Sequence, residues 1–231
     1  MEGLEALALG GLAQSSLLLA GLAVYWVHPT TRVIGGLAGF GAGALVAAVA
    51  FDLIPEAEVL TEPELALWLL IGALIFVVAD RFVESKFGDG DEGGGPLGIV
   101  VGSVVDGVPE SLIFGIQIAA GSPISAAFVA AVFVSNLPQA LAPSAALAES
   151  GWKKGRMAMM WGLVVLACAV TAWLGYIGGT ALSSSGGRAA ALAAGGLLAM
   201  LTDSLMPYAF QKGGAQAGVW TVVGFAASLA G

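Results

Sequence analysis

Two carboxylates, Asp106 and Glu110, lie four residues apart within a long apolar segment. On an α-helix this spacing places both side chains on one face, one turn apart. Carboxylates this close repel each other unless a cation or a proton lies between them. Pro109 removes a backbone donor, which leaves a carbonyl oxygen of the preceding turn free to face a polar guest. The pattern predicts a cation-binding segment; alternatively, one carboxyl stays protonated and hydrogen-bonds to a neighbouring helix.

A second segment of similar form follows, with Ser135 and Asn136 before Pro138 and Gln139 after it. Ser135 and Gln139 are again four apart, and therefore share a helix face. Such side chains also serve as simple hydrogen-bond contacts between membrane helices. Because only the short turn 121–123 joins the two segments, we expect a shared site. The residues predicted to form this cation site are Asp106, Glu110, Ser135, Asn136 and Gln139.

Further acidic residues lie in other apolar segments. Asp52 and Glu56 flank Pro55, and Asp203 precedes Pro207. Ionisable residues at membrane depth are costly and usually face the interior of the helix bundle. We therefore assign Asp52, Glu56 and Asp203 to a transport pathway that leads to the site.

The composition indicates that lipid is the solvent of these segments. The 231 residues are 58% hydrophobic and 10% charged, and the mean hydropathy is +0.93. A soluble domain carries about 25% charged residues. The single cysteine, Cys168, excludes an internal disulfide and a cysteine-rich metal site. The net charge of −8 argues against nucleic acid as a partner.

Hydropathy predicts an all-α, polytopic membrane protein with one transmembrane domain over residues 1–231. About 20 apolar residues cross the bilayer once. The chain offers eight such spans: Leu4–Val27, Val33–Leu60, Leu65–Val83, Leu97–Ala120, Ile124–Ala148, Met157–Leu182, Ala189–Phe210 and Ala215–Ala230.

The basic residues predict the orientation of these spans. Seven of the eight lie in the loops that join helices 1–2, 3–4, 5–6 and 7–8, and only Arg188 lies in the opposite set. Cytoplasmic loops are enriched in Lys and Arg. We therefore expect a multi-pass protein of the cell membrane, such as a bacterial inner membrane, with both termini on the outer (periplasmic or extracellular) side. The seven residues are Arg32, Arg81, Lys86, Lys153, Lys154, Arg156 and Lys212.

The segments around Asp52 and Asp203 also indicate an internal repeat. Each follows a stretch rich in Gly and Ala and precedes a proline. Helices 1–3 would then match helices 6–8 around the pair 4–5, and the odd number of spans makes the two copies inverted. Secondary transporters often use inverted repeats of this kind.

These motifs resemble the ZIP family of divalent-metal transporters. That family has eight spans with both termini outside and a His-Asn-x-Pro-Glu-Gly type motif on helix 4, which Asp106–Ser111 resembles. Ser135–Ala140 is similar to the family's helix 5 motif, and Asp52–Ala57 to its helix 2 segment, His-Leu-x-Pro-Glu-Ala. The resemblance implies transport of a divalent metal toward the cytoplasm, and a homodimer.

The chain departs from the family pattern in its ligands. Asp106 replaces the usual His, Gly107 the usual Asn, and Gln139 the helix 5 acid, while the helix 6 acid is apolar near Val165. A single site of oxygen ligands remains. Oxygen ligands suit manganese, magnesium and calcium, whereas zinc favours nitrogen and sulfur.

The first functional hypothesis is therefore a ZIP-like transporter whose substrate is a divalent metal cation, with no organic cofactor. The alternative is a ZIP-fold protein that has lost metal transport and acts as a binding or sensing subunit or carries another solute. The missing histidine and Gln139 favour this alternative. An enzyme is not expected, because the sequence offers no nucleophile–base pair.

The oxygen ligand set predicts a weakened preference for zinc. We expect Mn²⁺ to raise the thermal unfolding temperature of the purified protein at least as much as Zn²⁺ at equal concentration. Zinc binding far tighter than manganese binding, lost in Asp106→Ala, would contradict this expectation.

Overall fold

The computed structural model describes residues 1–87, 95–121, 124–181 and 186–229, and every regular element within these ranges is helical. The predicted span ends at Leu182 and Ala230 lie outside the described residues. The helices are α1 (Glu2–Ala23), α2 (Thr31–Ala57), α3 (Glu62–Phe87), α4 (Gly95–Ala119), α5 (Ala126–Glu149), α6 (Lys154–Ala181), α7 (Gly186–Gly213) and α8 (Gln216–Leu229).

Helices α1 to α7 are long and apolar enough to cross a membrane. This confirms an all-α, multi-pass membrane protein. Helix α8 has 14 residues, which extend about 21 Å at 1.5 Å per residue, whereas the hydrocarbon core is about 30 Å thick. The predicted eighth crossing stays a prediction.

Polar side chains fix the start of several helices. The Thr30 hydroxyl accepts a hydrogen bond from the Val33 amide at the start of α2, and Ser125 accepts one from Phe128 at the start of α5. Thr61 donates its amide and hydroxyl hydrogens to Glu64 just before α3. These caps satisfy amide groups that a helix end would otherwise leave unpaired in lipid.

Glycines allow two pairs of helices to pack backbone against backbone. Gly43 of α2 lies against Thr221 of α8, and Gly224 of α8 lies against the carbonyl of Phe40 in α2. A Cβ on either glycine would overlap the facing backbone oxygen. Small residues allow this close approach between membrane helices, where van der Waals contact rather than the hydrophobic effect drives association.

Helices α3 and α7 pack in the same way. Gly72 of α3 lies against Leu192, and Gly195 of α7 lies against Leu69. Gly195 follows Gly43, and Gly224 follows Gly72, by the same 152 positions. The α2–α8 contact therefore has a counterpart, in the same register, in the α7–α3 contact.

Helices α2 and α7 each widen at one turn. Val49–Leu53 and Leu201–Leu205 are π-helical, and the residue before each following proline donates its amide hydrogen to the carbonyl five positions earlier. Pro55 and Pro207 lack an amide hydrogen, and a proline ring clashes with the carbonyl four residues before it. The wider turn accommodates each proline within a continuous helix.

One end of the bundle, here called the basic end, carries cations stacked on aromatic rings. The Lys154 Nζ lies 3.9 Å from the centre of the Trp26 ring, and the Arg156 guanidinium 3.9 Å from that of Trp152. The Tyr25 hydroxyl donates a hydrogen bond to the Trp152 carbonyl. The α1–α2 and α5–α6 connections therefore meet at this end.

The opposite end, here called the acidic end, holds Glu58, Glu62 and Glu64. Arg188, just inside α7, pairs with Glu64 at 3.6 Å. The starts of α3 and α7 therefore lie beside each other at this end.

The outer face of α3 is apolar, and no other described residue covers it. Each of its large side chains there is more than half exposed, which suits contact with lipid acyl chains. They are Leu67, Leu70, Leu74, Ile75, Val78 and Phe82.

Gly72→Ala should destabilise the protein. The new methyl group would overlap the Leu192 carbonyl oxygen, and a backbone atom cannot rotate away. We expect a loss of about 1–3 kcal/mol, as for other overpacked interiors, measured by thermal unfolding in detergent. Gly162→Ala is the control, because its methyl group meets no atom within 4 Å. Equal unfolding temperatures for the two variants would contradict the proposed close packing.

Candidate functional site

The Glu110 carboxylate lies at the centre of the bundle. Its side chain is 1% exposed, and the adjoining residues Ile113 and Phe114 of α4 are fully buried. A carboxylate removed from water needs hydrogen bonds or a cation to offset the loss of hydration. The partners of Glu110 therefore define what the site can bind.

Three side chains from two other helices surround Glu110. Gln14 of α1 donates its Nε2 hydrogen to Glu110 Oε2 at 2.9 Å. Ser135 of α5 donates its hydroxyl to Glu110 Oε1 at 3.4 Å and also reaches the Val132 carbonyl at 2.9 Å. Asn136 of α5 donates Nδ2 to Gln14 Oε1 at 2.9 Å and also interacts with Glu110.

Gly107 of α4 faces both the thiol of Cys168 and the amide of Gln14. A Cβ on Gly107 would lie 2.6 Å from Cys168 Sγ of α6, and 3.5 and 3.6 Å from Gln14 Oε1 and Nε2. The Ser111 hydroxyl, also fully buried nearby on α4, interacts with the Cys168 thiol. The absent side chain at position 107 thus leaves the space that Cys168 Sγ occupies, and the Gln14 amide packs alongside.

A close contact also fixes Ser135. A Cβ on Gly41 of α2 would lie 2.5 Å from the Ser135 Cα. Helix α2 therefore packs directly against α5 at this level, and the Ser135 backbone is held in place beside Glu110.

The polar residues lie at three levels along α4, and Glu110 marks the first. Asp106 lies at the second level, one helical turn closer to the basic end. It is half-buried and accepts a hydrogen bond from Ser204 of α7 at 3.4 Å. Asp80 and Asp203 lie close enough to interact with it electrostatically. Asp203 itself is exposed.

A third polar level lies toward the acidic end. Gln117 of α4 is buried and donates Nε2 to Glu56 Oε1 at 3.4 Å. Asp52 interacts with Ser125 and lines a cleft of about 220 Å³ between α2, α5 and α8. The buried ring of Phe128 lies at this cleft.

Two aromatic rings lie between this third level and Glu110. The centres of the Phe114 and Phe128 rings are 4.9 Å apart, and both rings are almost fully buried. Phe114 is one turn from Glu110 along α4. Polar groups on either side of the rings are therefore separated by a short apolar barrier.

The structure thus brings Glu110, Ser135 and Asn136 together and places Asp106 with Ser204. Gln139 is half-buried and makes no hydrogen bond to the described residues. Four residues along α5 advance about 6 Å, which puts Gln139 one turn from Ser135 toward the basic end. Within the described ranges, no three His, Cys, Asp or Glu side chains are grouped to hold one metal ion.

Gln14 is the member of the site that sequence reasoning missed. The signal in the sequence is a single amide side chain within an apolar span, and the structure shows that this side chain is fully buried. It carries no charge and no proline motif, and its partner Glu110 is 96 positions away.

No protein-family model matches the chain, and no curated protein matches it.

Gly107→Ala should disturb the site through Cys168. The new methyl group would lie 2.6 Å from Cys168 Sγ, a buried atom. We expect a loss of about 1–3 kcal/mol in stability, measured by thermal unfolding.

The Cys168→Ala background lacks the clashing sulfur atom. In that background, Gly107→Ala should lower the stability much less than it does in the wild-type protein. Strictly additive effects of the two changes would show that the residues are not in contact.

Proposed function

We propose that this protein is a ZIP-like transporter that moves a divalent metal cation toward the cytoplasm through one site centred on Glu110. The proposal rests on the buried Glu110 carboxylate. Three hydrogen-bonding side chains from α1 and α5 surround it within a membrane-crossing bundle. Ionisable residues in such positions commonly mark ion pathways.

The three polar levels along α4 support a route for the ion. Asp52 and Glu56 receive the cation near the acidic end, Glu110 binds it, and Asp106 and Asp203 lie on its way to the basic end. Gln117 and Asp106 are eleven residues apart, which is about 16 Å of helix. A cation reaches Glu110 from the acidic end only when Phe114 and Phe128 separate.

The repeated helix contacts support an inverted repeat of α1–α3 and α6–α8 around α4 and α5, with α8 as the eighth span. The equal spacing of Gly43 to Gly195 and Gly72 to Gly224 is consistent with it, as are the matching π-helical turns. In this arrangement the two halves can rock against each other and expose the site alternately.

The placement of basic residues supports the proposed orientation in the membrane. Arg32, Lys153, Lys154, Arg156 and Lys212 lie at the basic end, which we therefore assign to the cytoplasm. Both termini and the acidic end then face outward, where the negative charges of Glu58, Glu62 and Glu64 attract cations.

The ligand chemistry favours a hard cation. Glu110, Ser135 and the side-chain amides offer oxygen atoms, and Cys168 is the single thiol of the chain. Oxygen ligands suit manganese, magnesium or calcium better than zinc.

The second candidate is a ZIP-fold protein that does not transport metal. One observation favours it: neutral amide and hydroxyl donors already satisfy the Glu110 carboxyl. A binding or sensing subunit, or a carrier of another solute, would retain this network without needing a cation.

Uptake of radiolabelled Mn²⁺ into proteoliposomes separates the two candidates. For the transporter, wild-type protein should accumulate Mn²⁺ and Glu110→Gln should fall to the level of empty liposomes, because the site loses its negative charge. Glu149→Gln is the matched control, since it makes the same change in charge at an exposed position at the end of α5. Background uptake of every divalent metal by the wild-type protein would overturn the transporter and leave the second candidate.

A further inference from the structure

Both the nitrogen and the oxygen of the Gln14 side-chain amide form hydrogen bonds within the site. Its side chain is fully buried, its Nε2 donates to Glu110, and its Oε1 accepts from Asn136. A buried amide without partners costs several kcal/mol, so these two bonds hold Gln14 in one orientation. Glu110 is thereby linked through Gln14 to Asn136, across helices α4, α1 and α5.

In this orientation the site opposes a cation. The Gln14 amide hydrogens point at Glu110 Oε2, and their partial positive charge repels an ion approaching that oxygen. The oxygen and nitrogen of an amide are nearly equal in size. Rotation of the Gln14 amide by about 180° would turn its oxygen toward Glu110 without demanding new space.

The reversal of Gln14 requires a reversal of Asn136. After the first rotation the Gln14 Nε2 would face the Asn136 Nδ2, and two donors would oppose each other. If the Asn136 amide also rotates, its Oδ1 accepts from Gln14 Nε2 and the hydrogen bond is restored. The Gln14–Asn136 hydrogen bond is therefore made in both states. In the first state Glu110 receives amide donors, and in the second Gln14 Oε1 faces Glu110 Oε2, so that a cation between the two oxygens is needed to offset their repulsion.

We propose that Gln14 is a ligand of the transported cation, and that paired reversal of the Gln14 and Asn136 amides converts the empty site into the loaded site. This proposal rests on the function proposed above. The loaded site combines carboxylate oxygens of Glu110 with the neutral amide oxygen of Gln14, and the hydroxyl of Ser135 completes it. One charge and several neutral oxygens suit a hard divalent cation such as Mn²⁺.

Equilibrium Mn²⁺ binding to the purified full-length protein tests the proposal, with free Mn²⁺ followed by its electron paramagnetic resonance signal. Gln14→Leu removes the amide at similar volume and should weaken binding by about ten- to a hundredfold. Gln14→Glu keeps an oxygen at this place and should bind Mn²⁺ at least as tightly as the wild type. Gln211→Leu is the matched control at an exposed position and should bind as the wild type does.

Each other outcome has a separate meaning. If Gln14→Leu binds as tightly as the wild type while Glu110→Gln has lost binding, Gln14 is not a ligand and the proposed function stands. If the wild type binds no more Mn²⁺ than Glu110→Gln, the proposed function and the ligand role fail together. Should Gln14→Leu not fold, folded Gln14→Glu decides the question, because weakened binding in that variant overturns the proposal.

Discussion

Burial of the Glu110 carboxyl in a bundle surrounded by lipid is the constraint on which the site depends. Water cannot stabilise the charge there, so the protein must supply hydrogen bonds or bind a cation. Gln14 and Ser135 donate to the two carboxyl oxygens, and Asn136 supports Gln14. This network positions α1 and α5 against α4, because each helix contributes a group that would otherwise be unpaired.

Such a network forms only where the helices approach closely. Gly107 leaves the space that Cys168 Sγ occupies beside the Gln14 amide, and Gly41 lets α2 rest on the backbone of Ser135. Farther from the site, Gly43 brings α2 against α8, and Gly195 brings α7 against α3. Small residues thus set the distances between helices, and those distances decide which polar side chains meet.

The fold was largely predictable because hydropathy averages over about 20 residues and is insensitive to single side chains. The ends of the helices were less predictable than the number and type of elements. Helix α3 begins at Glu62, three residues before the predicted membrane span Leu65–Val83, because the Thr61–Glu64 bonds start the helix in a charged segment outside that span.

The site was predictable in part. Proline motifs on two sequence-adjacent helices were enough to bring Glu110, Ser135 and Asn136 together. The same reasoning grouped Asp106 and Gln139 with them, although each lies one turn away along its helix. Gln14 escaped prediction because its role arises from tertiary packing of α1 beside Gly107, which no local pattern records.

The most direct measurement is anomalous X-ray scattering from crystals of the protein grown with Mn²⁺. We expect one strong manganese peak within coordination distance of a Glu110 carboxylate oxygen and of the Gln14 side-chain oxygen. A manganese-free site with the Gln14–Glu110 hydrogen bond intact, under conditions where the ion is in excess, would contradict it.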